Sequence, residues 1–442
     1  QYQPAEPVRG FIHRIQEDYE VGWGIFHRGF AEFNDRSFLQ EMERNQKLFN
    51  SYLEPLSSDP DEEWRANVVR PLTRNKIISI AAHITAVSLY PSVVAQNEDD
   101  EEDKDAANVM RDLIEWNIKN SDYEEAFLFS VISALVNPVS YMKAEYAKGM
   151  QKMKKRMEDG SISIEEVVDD VISGFQSQVI PPDEVMISNA YEYEIQRQRF
   201  LIRRRWIDFD EAKALYGAHP DFKYVHPGIK TIFNAEDYTF YDTKDDEMTT
   251  LVEECTYYNR REDMQVPVLG GVYVGESDVN ANLMKHRDTR DRPRYNLVKF
   301  GYEPIDEKRF YFYKSAASKG ANEQEVIDTM YRMVLDGTFL AVMPPIATSG
   351  GDIVDSSVIF PARVTAFEKD TSITPIRGGE LSPAWNAIER MEDSISESTL
   401  SDIKSGIPEG PQKTAFEIQR LEANAQVRIG LFGKMVGRMV SD

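Results

Sequence analysis

The sequence predicts an α+β chain of several packed modules. Its 442 residues are about three times the usual domain size, so more than one core is expected. Apolar residues at helical three-four spacing alternate along it with short β-branched and aromatic runs bounded by Gly, Pro and Asn. With 41% hydrophobic and 29% charged residues it has enough apolar surface to offset chain entropy, which excludes global disorder.

Residues 1–65 are polar and aromatic, with short helical stretches such as 36–52, where Phe38, Met42, Leu48 and Phe49 recur; they read as a docking arm. A helix is predicted from Pro71 to Leu89, with Ile77, Ile80, Ala81, Ile84 and Val87 on one face and Pro91 ending it. The acidic run 98–105 reads as a solvated first turn of the next helix rather than a metal site. That helix, about 104–120, presents Val109, Leu113, Trp116 and Ile118. A further one over 123–136 presents Phe127, Val131, Ala134 and Leu135 before Asn137-Pro138 stops it. A strand is expected over 139–146. The charged stretch 148–177 reads as a helical hairpin turning near Asp159-Gly160. Short strands follow at 184–187 and 198–206, then a small helix begun by Asp208-x-x-Glu211 and ended by Gly217.

Residues 230–305 read as a compact β module with strands at 251–258, 266–274 around Gly270-Gly271, and 295–302. Asn322-x-x-Glu325 opens a helix with Val326, Ile327, Met330, Met333 and Val334 on one face, closed by Asp336-Gly337. Strands are expected near 353–360 and 364–367. Ser382-Pro383 opens a helix with Trp385, Ile388, Met391 and Ile395 inward and Glu389, Glu392, Asp393 and Glu397 outward. Thr414-x-x-Glu417 opens the last, carrying Ile418, Leu421, Ala425, Ile429, Phe432, Val436 and Met439 as a seam that needs partner helices.

Several function classes are excluded or weakened. The single cysteine, Cys255, forms no internal disulfide and there is no Asn-x-Ser/Thr sequon, so a reducing compartment is expected. The longest apolar stretch, 77–90, is interrupted by Ser79, His83, Thr85 and Ser88 and falls short of the roughly 20 residues a membrane crossing needs. The missing initiator Met and the uncapped end at Asp442 lead us to expect trimmed termini. Net charge is −24, which disfavours a gripping nucleic-acid binder. Gly410-Pro411-Gln412-Lys413-Thr414 lacks the spacing of a phosphate loop, and no Gly-x-Ser-x-Gly, His-Glu-x-x-His or Gly-x-Gly-x-x-Gly is present. Arg203-Arg204-Arg205 alternates faces in a strand and reads as ion pairing or subunit contact. No cofactor or metal is expected. Tyr257, Tyr258, Arg260 and Arg261 combine amphipathic rings and planar cations of the kind enriched at interfaces, and are candidates for docking.

The order of the pieces carries more information than any one of them. Arg70-Pro71-Leu72-Thr73-Arg74-Asn75 with its helix and Tyr90-Pro91-Ser92, the helix-to-strand step 124–146, and Gln178-Val179-Ile180-Pro181-Pro182-Asp183-Glu184-Val185 come first. The stretch 300–313 followed by Glu323-Gln324-Glu325, then Ile373-Thr374-Pro375-Ile376 with the helix from Pro383, and Lys413-Thr414-Ala415-Phe416-Glu417-Ile418 complete the series. Together they resemble, over most of the chain and by pattern rather than by motif, the portal (connector) protein of tailed bacteriophages.

That resemblance implies an α/β wing over 66–230 after the arm at 1–65. A β-rich clip follows over 230–305, a stem helix region over 306–344, and wing strands with a tunnel loop over 345–381. Residues 382–442 then hold a tunnel-proximal helix and a wing-to-crown helix. It further implies a virion component without enzymatic activity: a ring of twelve copies at one capsid vertex, carrying double-stranded DNA without sequence specificity. Such a ring docks the terminase large subunit, a head–tail adaptor and the major capsid or scaffolding protein. The DNA-channel candidates are then Arg377, Gly378, Gly379 and Glu380 in the loop, with Glu389, Glu392, Asp393 and Glu397 on the following helix. Twelve copies at −24 sum to −288, so acidic tunnel walls would repel phosphate and ease its passage. The rival readings are a carboxylate-based hydrolase, either phosphodiesterase or glycosidase, and an unrelated oligomeric adaptor.

Overall fold

Phe11, Ile15, Tyr19 and Phe26 fall on one stripe of a 3.6-residue helix, and in the computed structural model they occupy α1, Glu6–His27, with that stripe buried. The structure describes residues 6–52, 54, 64–85, 93–95, 97, 99–147, 150–156, 162–168, 174–228, 250–276, 278–288, 290–305, 309–342, 346–349, 372–375, 382–398 and 432–437. The further helices are α2 (Phe38–Phe49), α3 (Leu72–Thr85), α4 (Glu101–Lys119), α5 (Tyr123–Val136), α6 (Phe209–Tyr216), α7 (Ala316–Lys319), α8 (Ala321–Val342) and α9 (Ser382–Ser398). Strands are β1 (Ser140–Ala147), β2 (Met150–Arg156), β3 (Ile162–Val168), β4 (Gly174–Ile180), β5 (Val185–Ile187), β6 (Leu201–Asp208) and β7 (Leu251–Asn259). They continue with β8 (Met264–Leu269), β9 (Val272–Tyr273), β10 (Val298–Phe300), β11 (Glu303–Pro304), β12 (Tyr313–Lys314), β13 (Ile346–Ser349) and β14 (Ser372–Pro375). The chain is α+β, and it divides into two compact units, one from 1–42, 85–315 and 432–442, the other from 43–84 and 316–431. Among the described residues, no helix is long and apolar enough to cross a membrane.

The first unit is organised by an antiparallel sheet in the order β5-β6-β7-β8-β9. Its two faces differ because successive side chains point opposite ways. Ile202, Arg204, Cys255, Tyr257, Val266 and Val268 share one face and are buried, most of them in one core with α1. Gly22 permits that approach, since a Cβ there would stand 2.9 Å from the Cβ of Met186. The turn joining β8 to β9 is Gly270-Gly271, with φ of 51° and 81°, the doubly left-handed shape a two-residue hairpin loop requires. An aromatic cluster closes the core: Phe38 stacks on Phe26 at 4.9 Å and on Phe312 at 4.7 Å. Residues 6–42, expected as part of a docking arm, therefore supply core. The expected boundary at 230 lies between β6 and β7, which pair along the whole of β6, so strands on its two sides form one sheet.

A second sheet, β10-β1-β4, carries α5 on one side. In place of the expected helical hairpin over 148–177, the described residues of that range are strands. β2 and β3 form an antiparallel ribbon in which Lys152 faces Glu166 and Arg156 faces Ile162, and β4 pairs with β1. The β-branched content of 162–168 outweighs the helix-favouring Lys and Glu around it.

In the second unit α8 and α9 pack through Ile327, Val334, Ile388 and Ile395. Gly337 does not end α8, which runs on to Val342. The face assigned from sequence is rotated: Ile327 and Val334 are buried, whereas Val326 and Met333 are 42% and 61% exposed. What the rotation brings inward is polar. Gln324, Asp328, Arg332 and Asp336, one turn apart, hold the incoming segment by its backbone. Gln324 and Asp328 engage Arg70, Arg332 donates to Glu54 O at 2.8 Å, and Asp336 accepts from Ala66 N at 2.7 Å. β13 and β14 pair antiparallel. The strands expected near 353–360 and 364–367 and most of the helix from Thr414 lie outside the described residues; within the latter, 432–437 is helical.

Candidate functional site

The outward face of the five-stranded sheet is charged. Arg203 and Arg205 from β6, Glu254, Thr256 and Tyr258 from β7, and Gln265 from β8 form the floor of a cleft of about 660 Å3, with Lys143 and His286 on its wall. Three of its cations meet carboxylates: Lys143 lies 2.6 Å from Glu145, Arg205 2.5 Å from Glu254 and Arg203 3.6 Å from Glu184, while Lys285 also lines the cleft. Burial, and then the two guanidiniums, push the Lys143 ammonium below its ordinary range. Burial likewise holds Glu184 above the usual carboxylate range, against the pull of Arg203. Arg204 points the other way, its guanidinium 3.0 Å from the Tyr19 hydroxyl and 5.2 Å from the Trp23 ring. The arginine triplet is thus an ion-pairing device shared between two faces. Chemically the cleft is a mosaic of opposed charges, suited to recognition. Among the described residues, no group of three or more His, Cys, Asp or Glu side chains stands where it would hold a metal ion.

The four docking candidates do not form one surface. Tyr257 is in the core, its hydroxyl donating to Asp18 Oδ2 at 2.8 Å. Tyr258, one residue on, faces the cleft, and burial raises its phenol to about 12. Arg260 is a clamp: its Nε donates to Pro293 O at 2.7 Å and its Nη1 to Gln196 O. Of the four, Arg261 alone is exposed.

Of the channel candidates, Arg377, Gly378, Gly379 and Glu380 lie outside the described residues. Glu389, Glu392, Asp393 and Glu397 all fall on α9, where Glu389 and Asp393 are exposed. Glu392 is not part of that open face, because it binds the Arg70 guanidinium, which also lies 5.5 Å over the Tyr331 ring.

Of the residues the sequence places along this helix, Val109, Leu113 and Trp116 share a face of α4 with Met110, while Ile118 is half-buried; that face is outward, at 68%, 51%, 61% and 50% exposure in the order given, and no residue of α4 is fully buried. Periodicity identifies an apolar face without saying what covers it. Compared with known families and with curated proteins, the chain matches no family model and no curated protein.

Proposed function

We propose that the chain is the subunit of a portal ring of twelve copies, a channel for double-stranded DNA at a capsid vertex that docks a terminase motor and tail adaptors. The observation that carries this reading is the outward apolar row of α4. Four large apolar side chains exposed on one face of a helix are a poor end state in water, and a second copy is the occupant a ring supplies. Val326 and Met333 on α8 are a second such row of different composition. Two unlike surfaces are what a head-to-tail contact needs, because each subunit must offer both halves.

Three further features support the same reading. α8, with 22 residues, spans about 33 Å and packs against α9, as a stem helix and a tunnel-proximal helix would. The open face of α9 is acidic through Glu389 and Asp393. On the same reading Arg377, between Pro375 and Gly378, touches passing phosphates as a positional contact without sequence information.

The test is the size of the purified particle, with negative-stain images. Twelve copies of 50.7 kDa give about 608 kDa. Leu113→Glu combined with Trp116→Glu is expected to release monomers that keep the subunit's far-ultraviolet circular dichroism, since neither side chain is buried in the subunit. A wild-type chain that stays at 50.7 kDa at tens of micromolar would overturn the proposal.

A further inference from the structure

Strand β1 is paired on one side along most of its length and on the other only at its start. β4 pairs with residues 141–147, whereas β10 pairs with Ser140, Tyr141 and Met142 alone. Continuing that register would set Lys143 opposite Leu297, but the ladder stops at Met142 and Val298. Because β10 and β4 lie on opposite sides of β1, residues 143–147 have no strand on the β10 side among the described residues. Successive residues of a strand send their N–H and C=O groups to alternate edges, so every second residue of 143–147 points these groups to the unpaired side.

Space opens on both faces of this edge. On one face is the cleft of about 660 Å3, which Lys143 and Glu145 line and to which β4 contributes no residue. On the other is a cavity of about 290 Å3 walled in part by Met142, Ala144, Leu297 and Val298. His286 lines both and so stands at the edge between them. Ala144 is exposed and Lys143 and Glu145 are half-buried, so solvent reaches this stretch of β1. Proteins usually shorten, charge or cover such an edge; this one lies between two hollows.

We propose that residues 143–147 accept an extended segment of a partner protein as an added antiparallel strand, in line with β10. Main-chain hydrogen bonds to β1 supply the affinity, and the two hollows select the sequence. Side chains of the added strand alternate between the faces. Those on one face meet Lys143 and Glu145 and the opposed charges of the cleft, and those on the other meet Met142, Ala144, Leu297 and Val298. The fitting segment therefore alternates apolar residues with charged ones of both signs, an acid beside Lys143 and a base beside Glu145. His286, between the exposed Lys285 and Arg287, gives way to it. A second copy of the chain is the competing occupant, since its own β1 carries the same free edge. The inference concerns one subunit and stands whether or not the ring forms.

The experiment is fluorescence anisotropy with the full chain and a labelled heptapeptide, Thr-Val-Glu-Val-Lys-Val-Thr, against a peptide of the same composition without alternation. Two further peptides carry N-methyl groups, one on the valines and the other on the residues between them. Since N–H groups of one parity share an edge, one methylated peptide is expected to lose about tenfold or more in affinity while the other keeps it. Ala144→Trp sets a ring in the hollow beside the edge and is expected to weaken binding by a similar factor. Ala144 is exposed, so far-ultraviolet circular dichroism of that variant is expected to match wild type. Binding that requires alternation, tolerates one methylation pattern only and weakens in Ala144→Trp supports the proposal. No binding at about 1 mM, equal binding of both sequences, equal loss from both methylation patterns, or binding indifferent to Ala144→Trp would each overturn it. A dimer of the chain that the peptide splits would overturn it too, by assigning the edge to a second copy.

Discussion

Gln324 offers the sharpest test of how the second unit is held together. It is 1% exposed and uses its amide fully. The carbonyl accepts from Thr73 N and Oγ1, both at 3.3 Å, while the nitrogen donates to Arg70 O at 2.8 Å and to Asp328 Oδ2 at 2.9 Å. Thr73 lies in the first turn of α3, where N–H groups have no partner within the helix, so a glutamine from α8 does the work of an N-cap. Gln324→Leu keeps the volume and loses all four bonds. Arg70 O retains Leu72 N at 2.9 Å, so the cost falls on the Thr73 donors and on Asp328, about 2–4 kcal/mol, of which apolar burial returns about 1 kcal/mol. The net of about 1–3 kcal/mol is expected to lower the urea midpoint of this unit by about 0.5–1.5 M, read from tryptophan fluorescence. Gln324→Glu serves as a control with a sign of its own. It sets a second carboxylate beside Asp328, whose own acid burial already raises. The variant should therefore be least stable at pH 7 and recover on acidification towards pH 5, as one carboxyl of the pair takes up a proton and becomes a donor. A loss below about 1 kcal/mol in Gln324→Leu would refute the capping argument.

Three other outcomes follow, two from the structure and the last, at Arg377, from the proposed ring alone. Lys299 donates to Tyr193 O at 2.6 Å and Tyr311 O at 2.7 Å within a cage of three tyrosine rings, and burial lowers its pKa well below 10.5. Between that lowered value and 10.5 the unfolded chain binds the extra proton, so wild type should gain stability over Lys299→Met as pH rises from 8 towards 10; an unchanged difference refutes this. Arg260→Ala should destabilise by about 2 kcal/mol because it strips two backbone carbonyls of their donor, whereas Arg261→Ala should move stability by less than about 0.5 kcal/mol; chemical denaturation distinguishes them, and equal effects would count against the clamp. Arg377→Glu should leave particle size unchanged while impairing DNA packaging or retention, and normal packaging would remove it from the channel.

What was legible in the sequence was whatever a local signal fully specifies. α5 runs over the expected 123–136 because its apolar face and Asn137-Pro138 agree, and α6 lies between Asp208 and Gly217 as its caps require. The residues that resisted reading depend on tertiary context. In 148–177 Lys and Glu satisfy either period, and the ribbon of β2 and β3 is decided by pairing. Gly337 is a helix end only if nothing beyond it prefers the helix. Strand parity shows that Tyr257 and Tyr258 face opposite ways without saying which is inside.

Charge and apolar exposure together constrain how copies of this chain associate. Each carries −24, so like-charge repulsion opposes assembly and grows with the number of neighbours. The acids at the start of α4, Glu101, Glu102 and Asp103, sit on the helix that bears the outward apolar row. A contact through that row must bring its negative flank towards another negative subunit, and hydrophobic burial has to exceed the repulsion. Added salt shortens the Debye length from about 10 Å at 0.1 M to about 3 Å at 1 M, which removes repulsion and leaves apolar contact intact. Oligomers held by α4 should therefore tighten as sodium chloride rises from 0.05 to 0.5 M, measured by dilution in mass photometry. Assemblies held by ion pairs between subunits would loosen over the same range. Loosening with salt, in a particle that Leu113→Glu with Trp116→Glu leaves whole, would place the subunit contact on charged surfaces and take α4 out of it.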